Sequence, residues 1–397
     1  MSTSKDEAVA DALTGARPES SPPLEMGRVV KRTAVIGGIA LLVILVSFAS
    51  LTAYNRWADG KQDAFRTTCE AAVAAADWDE LLETATTWRD WDPDDDDSLM
   101  FIAQALVDLE RLDEAVETLG QVEDDYQGAL EALAFRAEIQ YSALNRPFDA
   151  EATWRRMVQI APNANLPRQR LIYFYAMTLQ RRKLIESIDA AIQAGCEPPE
   201  AYVYLVMLNT LNFSDGLKLV TRWRRNDPNN EILQVAQAIY AARMTPDNSI
   251  ATFGIKTVMP GDRHLLLKCL ETYPENLELL AAELQLAMFN GEESRVRQLL
   301  SQASIDAERD SRFWSARGWL LNRRGQNEQA AAALERALQL VPTAWQARWL
   351  LASVYRELDR PRDAETMSRI AALGKDLEGD LLERPNARDL TPELVQR

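Results

Sequence analysis

The sequence contains few of the residues that break helices and few of those that bind metals or form disulfides. Its 397 residues include 16 glycines, 17 prolines, three cysteines and one histidine. Straight-chain helix formers are abundant instead, so the composition predicts an all-α protein. Cys69, Cys196 and Cys269 are odd in number and form no CxxC pair. This spacing argues against a zinc site or a disulfide framework, and we expect small buried apolar residues at all three positions.

Basic residues are also in short supply. The chain has 44 Lys and Arg against 60 Asp and Glu, which gives a formal net charge of −16. Nucleic-acid binding draws most of its affinity from the neutralisation of phosphates by Lys and Arg. We therefore expect no nucleic-acid partner.

The sequence also lacks recognisable catalytic motifs. It contains no Gly-rich phosphate loop, no GxSxG and no HExxH. His264 has only Asp262 nearby in sequence, so we expect an exposed or helix-capping histidine. Residues 92–97 are rich in aspartate but lack the Gly and Glu of an EF-hand, and we expect Asp96 and Asp97 to cap a helix. The sequence thus predicts no enzyme, metal, cofactor or small-molecule substrate.

One uncharged stretch stands out near the N-terminus. Residues 33–54 are 22 residues without a charge, and as a helix they span about 33 Å, close to the hydrocarbon thickness of a bilayer. A cleaved signal peptide is disfavoured because a long polar segment comes first. We therefore predict a retained transmembrane helix at 33–54, preceded by a disordered tail at 1–31 that is too polar to fold.

The flanking charges predict an orientation for this helix. Three basic residues lie close to its N-terminal end, whereas those beyond its other end are more widely spaced and mixed with acidic residues. Because an excess of Lys and Arg stays on the cytoplasmic side, we predict a single-pass protein with its N-terminus in the cytoplasm. The rest of the chain is then exoplasmic or periplasmic.

A period of 34 residues is clearest in the C-terminal third. With Ser311 as position 1, Gly318, Ala330, Ala337 and Pro342 fall at positions 8, 20, 27 and 32. Small residues let two antiparallel helices cross closely, and the proline ends the second helix. This pattern resembles the tetratricopeptide repeat (TPR) family, which implies an α-solenoid of helical hairpins.

Extending the period divides most of the remaining chain into units. The predicted units begin at about residues 62, 96, 131, 165, 197, 231, 277, 311 and 345, and together they cover 62–374. The unit at 231 is 12 residues too long, which places an insertion at 245–262, either a functional loop or a tolerated surface loop. Residues 375–397 are predicted as a C-terminal tail. Several central units have a large residue at position 8, namely Glu138, Ile172, Tyr204 and Leu284.

The TPR resemblance also implies a binding groove, lined by positions 5, 9 and 12 of each first helix. The Lys, Arg and Asn residues of a carboxylate-binding TPR groove are missing from positions 5 and 9. These positions instead carry four aromatic residues, Phe135, Tyr173, Trp319 and Trp349. We predict that they bind protein, because such side chains are enriched at binding hot spots. The alternative is that they pack within the array or under residues 376–397.

Together these features predict a membrane-anchored TPR scaffold of bacterial type. We expect protein partners and a role in the assembly or quality control of a membrane or envelope complex. One alternative is an enzymatic activity carried near 245–264. The other is an RNA-binding helical repeat, which the acidic charge disfavours.

Overall fold

The computed structural model describes residues 26–243 and 263–382, and side chains from residue 41 to residue 381 outside that gap. The predicted insertion at 245–262 and the chain ends at 1–25 and 383–397 lie outside the described residues. The described chain is helical and contains no strand. This result confirms the predicted all-α class.

The helices follow one another along the chain with short connections. The first nine are α1 (Met26–Ala75), α2 (Trp78–Trp91), α3 (Asp97–Asp108), α4 (Leu112–Gly120), α5 (Ala129–Glu138), α6 (Pro147–Ile160), α7 (Asn165–Met177), α8 (Arg181–Gln193) and α9 (Pro199–Val206). The next nine are α10 (Gly216–Trp223), α11 (Glu231–Arg243), α12 (Arg263–Thr272), α13 (Leu277–Phe289), α14 (Glu293–Gln302), α15 (Ser311–Arg323), α16 (Asn327–Leu340), α17 (Trp345–Glu357) and α18 (Pro361–Leu382). A π-helical turn at Ile139–Ala143 continues α5, and a short 3-10 helix at Ile305–Arg309 precedes α15.

The chain divides into two compact units, Met1–Glu80 and Leu81–Arg397. The first unit contains α1, a continuous helix of 50 residues. Among the described residues, α1 is the one helix long and apolar enough to cross a membrane. It begins at Met26, inside the segment that the sequence predicts as a tail.

The second unit is built from helical hairpins. Five first helices begin at the residues where the predicted units start, namely α7, α11, α13, α15 and α17. The second helix α16 ends at Leu340, just before Pro342, as expected for a residue that lacks an N–H and restricts its predecessor. The hydrophobic period therefore locates these helices along the chain.

Small residues permit the close crossing of α15 and α16. A Cβ added at Gly318 would lie 2.5 Å from Cγ of Leu334 and 3.2 Å from the carbonyl oxygen of Ala330. Ala330 and Ala337 are fully buried. A larger residue at position 8 of this hairpin would force the two helices apart.

Within the described residues, the first helix of seven units ends at a residue with positive φ, in the left-handed region, each time at repeat position 15. These residues, with φ between 53° and 73°, are Ala76, Glu110, Asn145, Leu179, Gly291, Gly325 and Asp359. In the unit of α15, Gln326 N–H donates to the Leu321 carbonyl at 3.0 Å, one residue after Gly325. This hydrogen bond satisfies a carbonyl that the helix end leaves free. The turn repeats although glycine supplies it at only two of the seven positions.

The π-helical turn at Ile139–Ala143 explains an apparent irregularity of the sequence. The two small residues of a regular hairpin are 12 residues apart, as for Gly318 and Ala330, whereas Ala137 and Ala150 are 13 apart and both fully buried. A π-helical turn accommodates one extra residue in a helix. Glu138, which the predicted register placed at position 8, is exposed. The assignment of Glu138 is therefore wrong, and Ala137 occupies that position.

The aspartates before α3 are arranged differently from the prediction. Asp95 caps the helix, since its Oδ1 accepts the Asp97 N–H at 3.0 Å. Asp96 is buried and makes no capping bond. It accepts instead from Arg89 Nη1 at 3.2 Å and from the Glu123 N–H at 2.9 Å. Asp96 therefore connects two neighbouring hairpins.

The three cysteines have two different environments. Cys69 and Cys269 are buried as predicted, and burial raises the pKa of each thiol to about 11. Cys196 is partly exposed, so the expectation of burial is wrong for this residue. All three are free thiols.

Candidate functional site

The four predicted groove aromatics have different surroundings. Phe135 is half-buried and packs on the apolar cluster of α3, α4 and α5. Trp319 is half-buried, with the Arg323 guanidinium 5.7 Å from its ring centre. Trp349 on α17 is 60% exposed. No ring contact joins any two of the four within the described part of the chain.

Tyr173 faces a loop of its own chain. Its ring lies 6.0 Å from that of Phe213 in a T-shaped arrangement. Burial raises the pKa of Tyr173 to about 12. Tyr173 therefore packs within the array, which is the alternative given above for the groove aromatics. Trp349, by contrast, is open to solvent.

Phe213 belongs to residues 207–215, which connect α9 and α10 and which we call the central loop. Leu208 and Leu211 of this loop are buried in the main apolar core. The loop carries no left-handed residue of the kind that closes the regular hairpins. Its backbone is bonded to side chains from other units. The Leu211 carbonyl accepts from Arg243 Nη1 at 2.6 Å, and the Asn209 carbonyl accepts from Gln285 Nε2 at 3.3 Å.

These contacts fall on predicted groove positions. Tyr173 and Gln285 both stand at position 9 of their units, and both contact the central loop. Thr343 further donates to the Leu205 carbonyl at 3.1 Å, across 138 residues of sequence. In the middle of the array, the chain itself therefore occupies the surface that the TPR resemblance assigns to a ligand.

A charged cluster lies next to the central loop. Arg181, at the start of α8, donates from Nε to the Leu208 carbonyl at 2.7 Å and from Nη1 to Glu278. Arg312 donates to both carboxylate oxygens of Glu278, at 2.8 and 3.0 Å, and pairs with Asp310 at 2.5 Å. The Arg181, Arg312 and Glu278 side chains are 8%, 5% and 20% exposed, so the cluster is shielded from water.

The end of α18 covers part of the array. Trp345 Nε1 donates to Glu378, and Gly374 approaches the Trp345 side chain so closely that an added Cβ would lie 2.8 Å from the Trp345 Cβ. Leu381 is buried in the main core. Residues 375–382 thus continue α18 and pack on the array, so the predicted boundary at 374 does not coincide with the end of the helix.

His264 lies at the edge of the described residues, next to the gap at 244–262. Its side chain is exposed at the start of α12, in agreement with the simpler of the two interpretations. Its neighbour Arg263 is held by Glu283 at 2.7 Å and by Glu292 at 2.8 Å. The hydrogen bond from Arg263 is the main cause that lowers the pKa of Glu292 to about 2. Arg263 therefore anchors the start of α12 to α13 and α14.

Comparison with known proteins agrees with the helical hairpins. Residues 321–369 match the tetratricopeptide repeat family. No curated protein matches the sequence.

Among solved structures, similar chains include one from the crystal structure of the APC/C hetero-tetramer Cut9-Hcn1, at 14% identity over 84% of this chain and 71% of that one, with a TM-score of 0.32. Another is a tetratricopeptide repeat protein from Parabacteroides merdae ATCC 43184, at 11% identity over 74% of this chain and 98% of that one, with a TM-score of 0.32. Scores this low carry no argument about function. The family match places a tetratricopeptide repeat at residues 321–369, and these residues lie in the hairpins of α15 to α18 described above.

Proposed function

We propose that this protein is a membrane-anchored scaffold that binds another protein through the regular hairpins at the C-terminal end of its array. Its anchor is the segment 33–54, and its array covers 62–374. The observation that carries the proposal is the exposure of Trp349, which is 60% accessible on the first helix α17.

Trp349 has the properties of a binding hot spot. Its helix is held in place, because Ala347 and Leu351 on either side are buried. A tryptophan on a rigid helix presents a large apolar area at low entropic cost when a partner covers it. Trp349 stands at position 5, which lines the ligand groove in the TPR family. Its exposure shows that the central loop does not cover it.

The membrane part of the proposal rests on α1. Its large apolar side chains are exposed, including Leu42 at 63%, Ile44 at 63% and Phe48 at 66%. Exposed apolar side chains on this scale are costly in water but favourable in lipid. Tyr54 and Trp57 follow, with ring centres 5.9 Å apart, as expected for an aromatic belt at the membrane surface.

We further propose that the N-terminus is cytoplasmic and that the array lies on the exoplasmic or periplasmic side, where it serves the assembly or quality control of a membrane or envelope complex. The charge asymmetry around 33–54 supports this orientation. Tethering a binding surface to the bilayer raises its local concentration near other membrane proteins. The net charge of −16 opposes one alternative, an RNA-binding repeat. The other, an enzyme at 245–264, falls almost wholly outside the described residues.

The binding role is tested by crosslinking in native membranes, followed by recovery through a C-terminal tag. Trp349→Ala is compared with Tyr202→Ala, a matched control that removes an aromatic side chain 43% exposed on the first helix α9. We expect the Trp349 variant to lose the recovered partner about tenfold or more and the control to retain it. Equal recovery from both variants contradicts the proposed surface.

The orientation is tested by protease added outside cells whose cytoplasmic membrane is intact. We expect the C-terminal tag to be digested under these conditions. Survival of the tag until the cytoplasm is opened would place the array on the inner side.

A further inference from the structure

The helices of the array stack on one another along the chain, with one interruption. From α3 to α18, the backbone of each described helix lies close to that of the next helix, except at α9, which lies close to neither α8 nor α10. A solenoid is held together by the contacts between neighbouring units. The array therefore consists of two stacks, an N-terminal stack from α3 to α8 and a C-terminal stack from α10 to α18.

Two clefts lie on the boundary between these stacks. The larger, of about 650 Å³, is lined by Ile185 of α8 on one side and by Leu277 of α13 on the other. The smaller, of about 260 Å³, is lined by Phe148 of α6 and by Leu233 of α11. Protein interiors are close-packed, with few voids larger than a water molecule. The two stacks are therefore in contact over only part of their boundary.

Buried aromatic side chains hold the stacks together. The ring of Trp223 on α10 lies 6.2 Å from the ring of Phe174 on α7, and both side chains are fully buried. The Tyr240 hydroxyl of α11 donates to the Met177 carbonyl of α7 at 2.7 Å. Exposing such rings to water is costly, so a movement between the stacks must turn about this contact.

A polar bridge crosses the boundary at the larger cleft. Arg181, at the start of α8, donates to Glu278, at the start of α13. Glu278 also accepts from Arg312 at 2.8 and 3.0 Å, and Arg312 belongs to the same stack as Glu278. Burial lowers the pKa of Arg181, and the positive charge of Arg312 lowers it further, so the bridge forms at a cost to the charged guanidinium. Because Glu278 keeps Arg312 when Arg181 leaves, the bridge can open without leaving the carboxylate unpaired.

A second polar bridge crosses the boundary at the smaller cleft. Asn226, which follows α10, donates from Nδ2 to the Leu144 carbonyl at 2.6 Å and to the Asn145 carbonyl at 3.3 Å. Asn226 is exposed, so water can replace these hydrogen bonds at little net cost. Each cleft is thus bridged by polar groups that can separate.

We propose that α9 and the central loop form a hinge between the two stacks, and that the bridge from Arg181 to Glu278 is the latch that holds it closed. The stacks turn about the contact at Trp223, and release of the latch widens the larger cleft. Hinges lie at a few loop or helix-end residues, and the central loop lacks the left-handed turn that closes the regular hairpins. The hinge does not depend on the proposed partner surface at Trp349.

Distances between spin labels, measured by pulsed electron paramagnetic resonance on the full-length protein in detergent, test the hinge. One pair, Asp189→Cys on α8 and Gln339→Cys on α16, spans the boundary at the larger cleft. The control pair, Gln339→Cys and Glu365→Cys on α18, lies within the C-terminal stack. All three positions are exposed, and the partly exposed native cysteine is removed by Cys196→Ser.

Glu278→Ala removes the latch and leaves Arg181 and Arg312 to repel each other across the boundary. We expect the boundary pair to shift to longer distances and the control pair to keep its wild-type distance. Glu293→Ala is the matched control variant, because it removes an ion pair with Arg323 at 3.2 Å inside the C-terminal stack, and it should change neither distance. An unchanged boundary distance in a folded Glu278→Ala variant, or the same lengthening in Glu293→Ala, overturns the hinge.

Should the Glu278→Ala variant fail to fold, the wild-type protein in increasing urea decides. We expect the boundary pair to lengthen at a lower urea concentration than the control pair, because a hinge opens before the stacks on either side unfold. A change of both distances at the same urea concentration overturns the proposal.

Discussion

The last hairpins and the central hairpins of this array use the same repeat in opposite ways. In α15 to α18, small residues bring the paired helices into contact, glycine or aspartate closes the first helix, and the first helix α17 exposes Trp349. In α7 to α11, the central loop replaces a tight turn and packs on Tyr173. The comparison shows that the surface of the first helix is open at Trp349 of α17, whereas the central loop covers it at Tyr173 of α7.

The largest expected difference in unfolding free energy is between alanine substitutions of two tryptophans, Trp223 and Trp349. Trp223 is fully buried, with its ring 5.6 Å from Tyr141 and 6.2 Å from Phe174. Trp223→Ala should cost about 3–5 kcal/mol of unfolding free energy, because it leaves a large cavity. Trp349→Ala should cost less than about 0.5 kcal/mol, because the side chain is exposed. Urea unfolding measures both, and similar costs would remove the distinction between centre and end.

The second effect concerns the close crossing in the regular end. Gly318→Ala should destabilise the protein by about 1–3 kcal/mol, because the new Cβ meets Leu334. Gly379→Ala is the control, since an added Cβ there meets no atom within 4 Å, and it should be neutral or stabilising by up to about 1 kcal/mol. Thermal unfolding of the two variants compares them. A neutral Gly318→Ala would show that the crossing can widen without cost.

A smaller effect is expected from one hydrogen bond that joins the central units. Tyr240 is 1% exposed, and its hydroxyl donates to the Met177 carbonyl at 2.7 Å. Tyr240→Phe should cost about 1 kcal/mol, because it leaves a buried carbonyl without its donor. Tyr202→Phe removes an exposed bond to Glu197 and should cost much less. Chemical denaturation of both variants measures the difference, and equal costs would count against a specific role for the central bond.

The smallest effect tests the repeated left-handed turn. Glu110 has φ +59° and is exposed, so Glu110→Gly should stabilise the protein by about 0.5–1 kcal/mol by relieving backbone strain. Gly325→Ala, at φ +72° in the equivalent position, should destabilise it by about 1 kcal/mol. Tm measurements on both variants show whether each substitution raises or lowers the stability. A loss of stability in Glu110→Gly would mean that the Glu110 side chain contributes more than the backbone costs.

The parts of the fold that the sequence predicts are those set by side-chain size and polarity. Gly318, Ala330 and Pro342 give the period, and the uncharged residues 33–54 give the long apolar helix. The left-handed turns at Glu110 and Leu179 cannot be recognised from the sequence. Neither residue type favours a positive φ, and the packing of the helices imposes it.

The surroundings of the groove aromatics are harder to predict for a related reason. Arg181 and Arg243 hold the central loop through the main-chain carbonyls of Leu208 and Leu211. Main-chain acceptors are the same at every residue, so no side-chain pattern reveals such contacts in a sequence. Tyr173 and Trp349 therefore looked equivalent as groove residues, although one is packed and the other exposed.

The most direct test of the account places a photoreactive phenylalanine analogue at position 349 or at position 173 of the full-length protein in native membranes. We predict an adduct with another protein at 349, and at 173 only an internal crosslink to the central loop. The same intermolecular adduct from both positions, or an adduct from 173 alone, would contradict an array that is open at its end and filled at its centre.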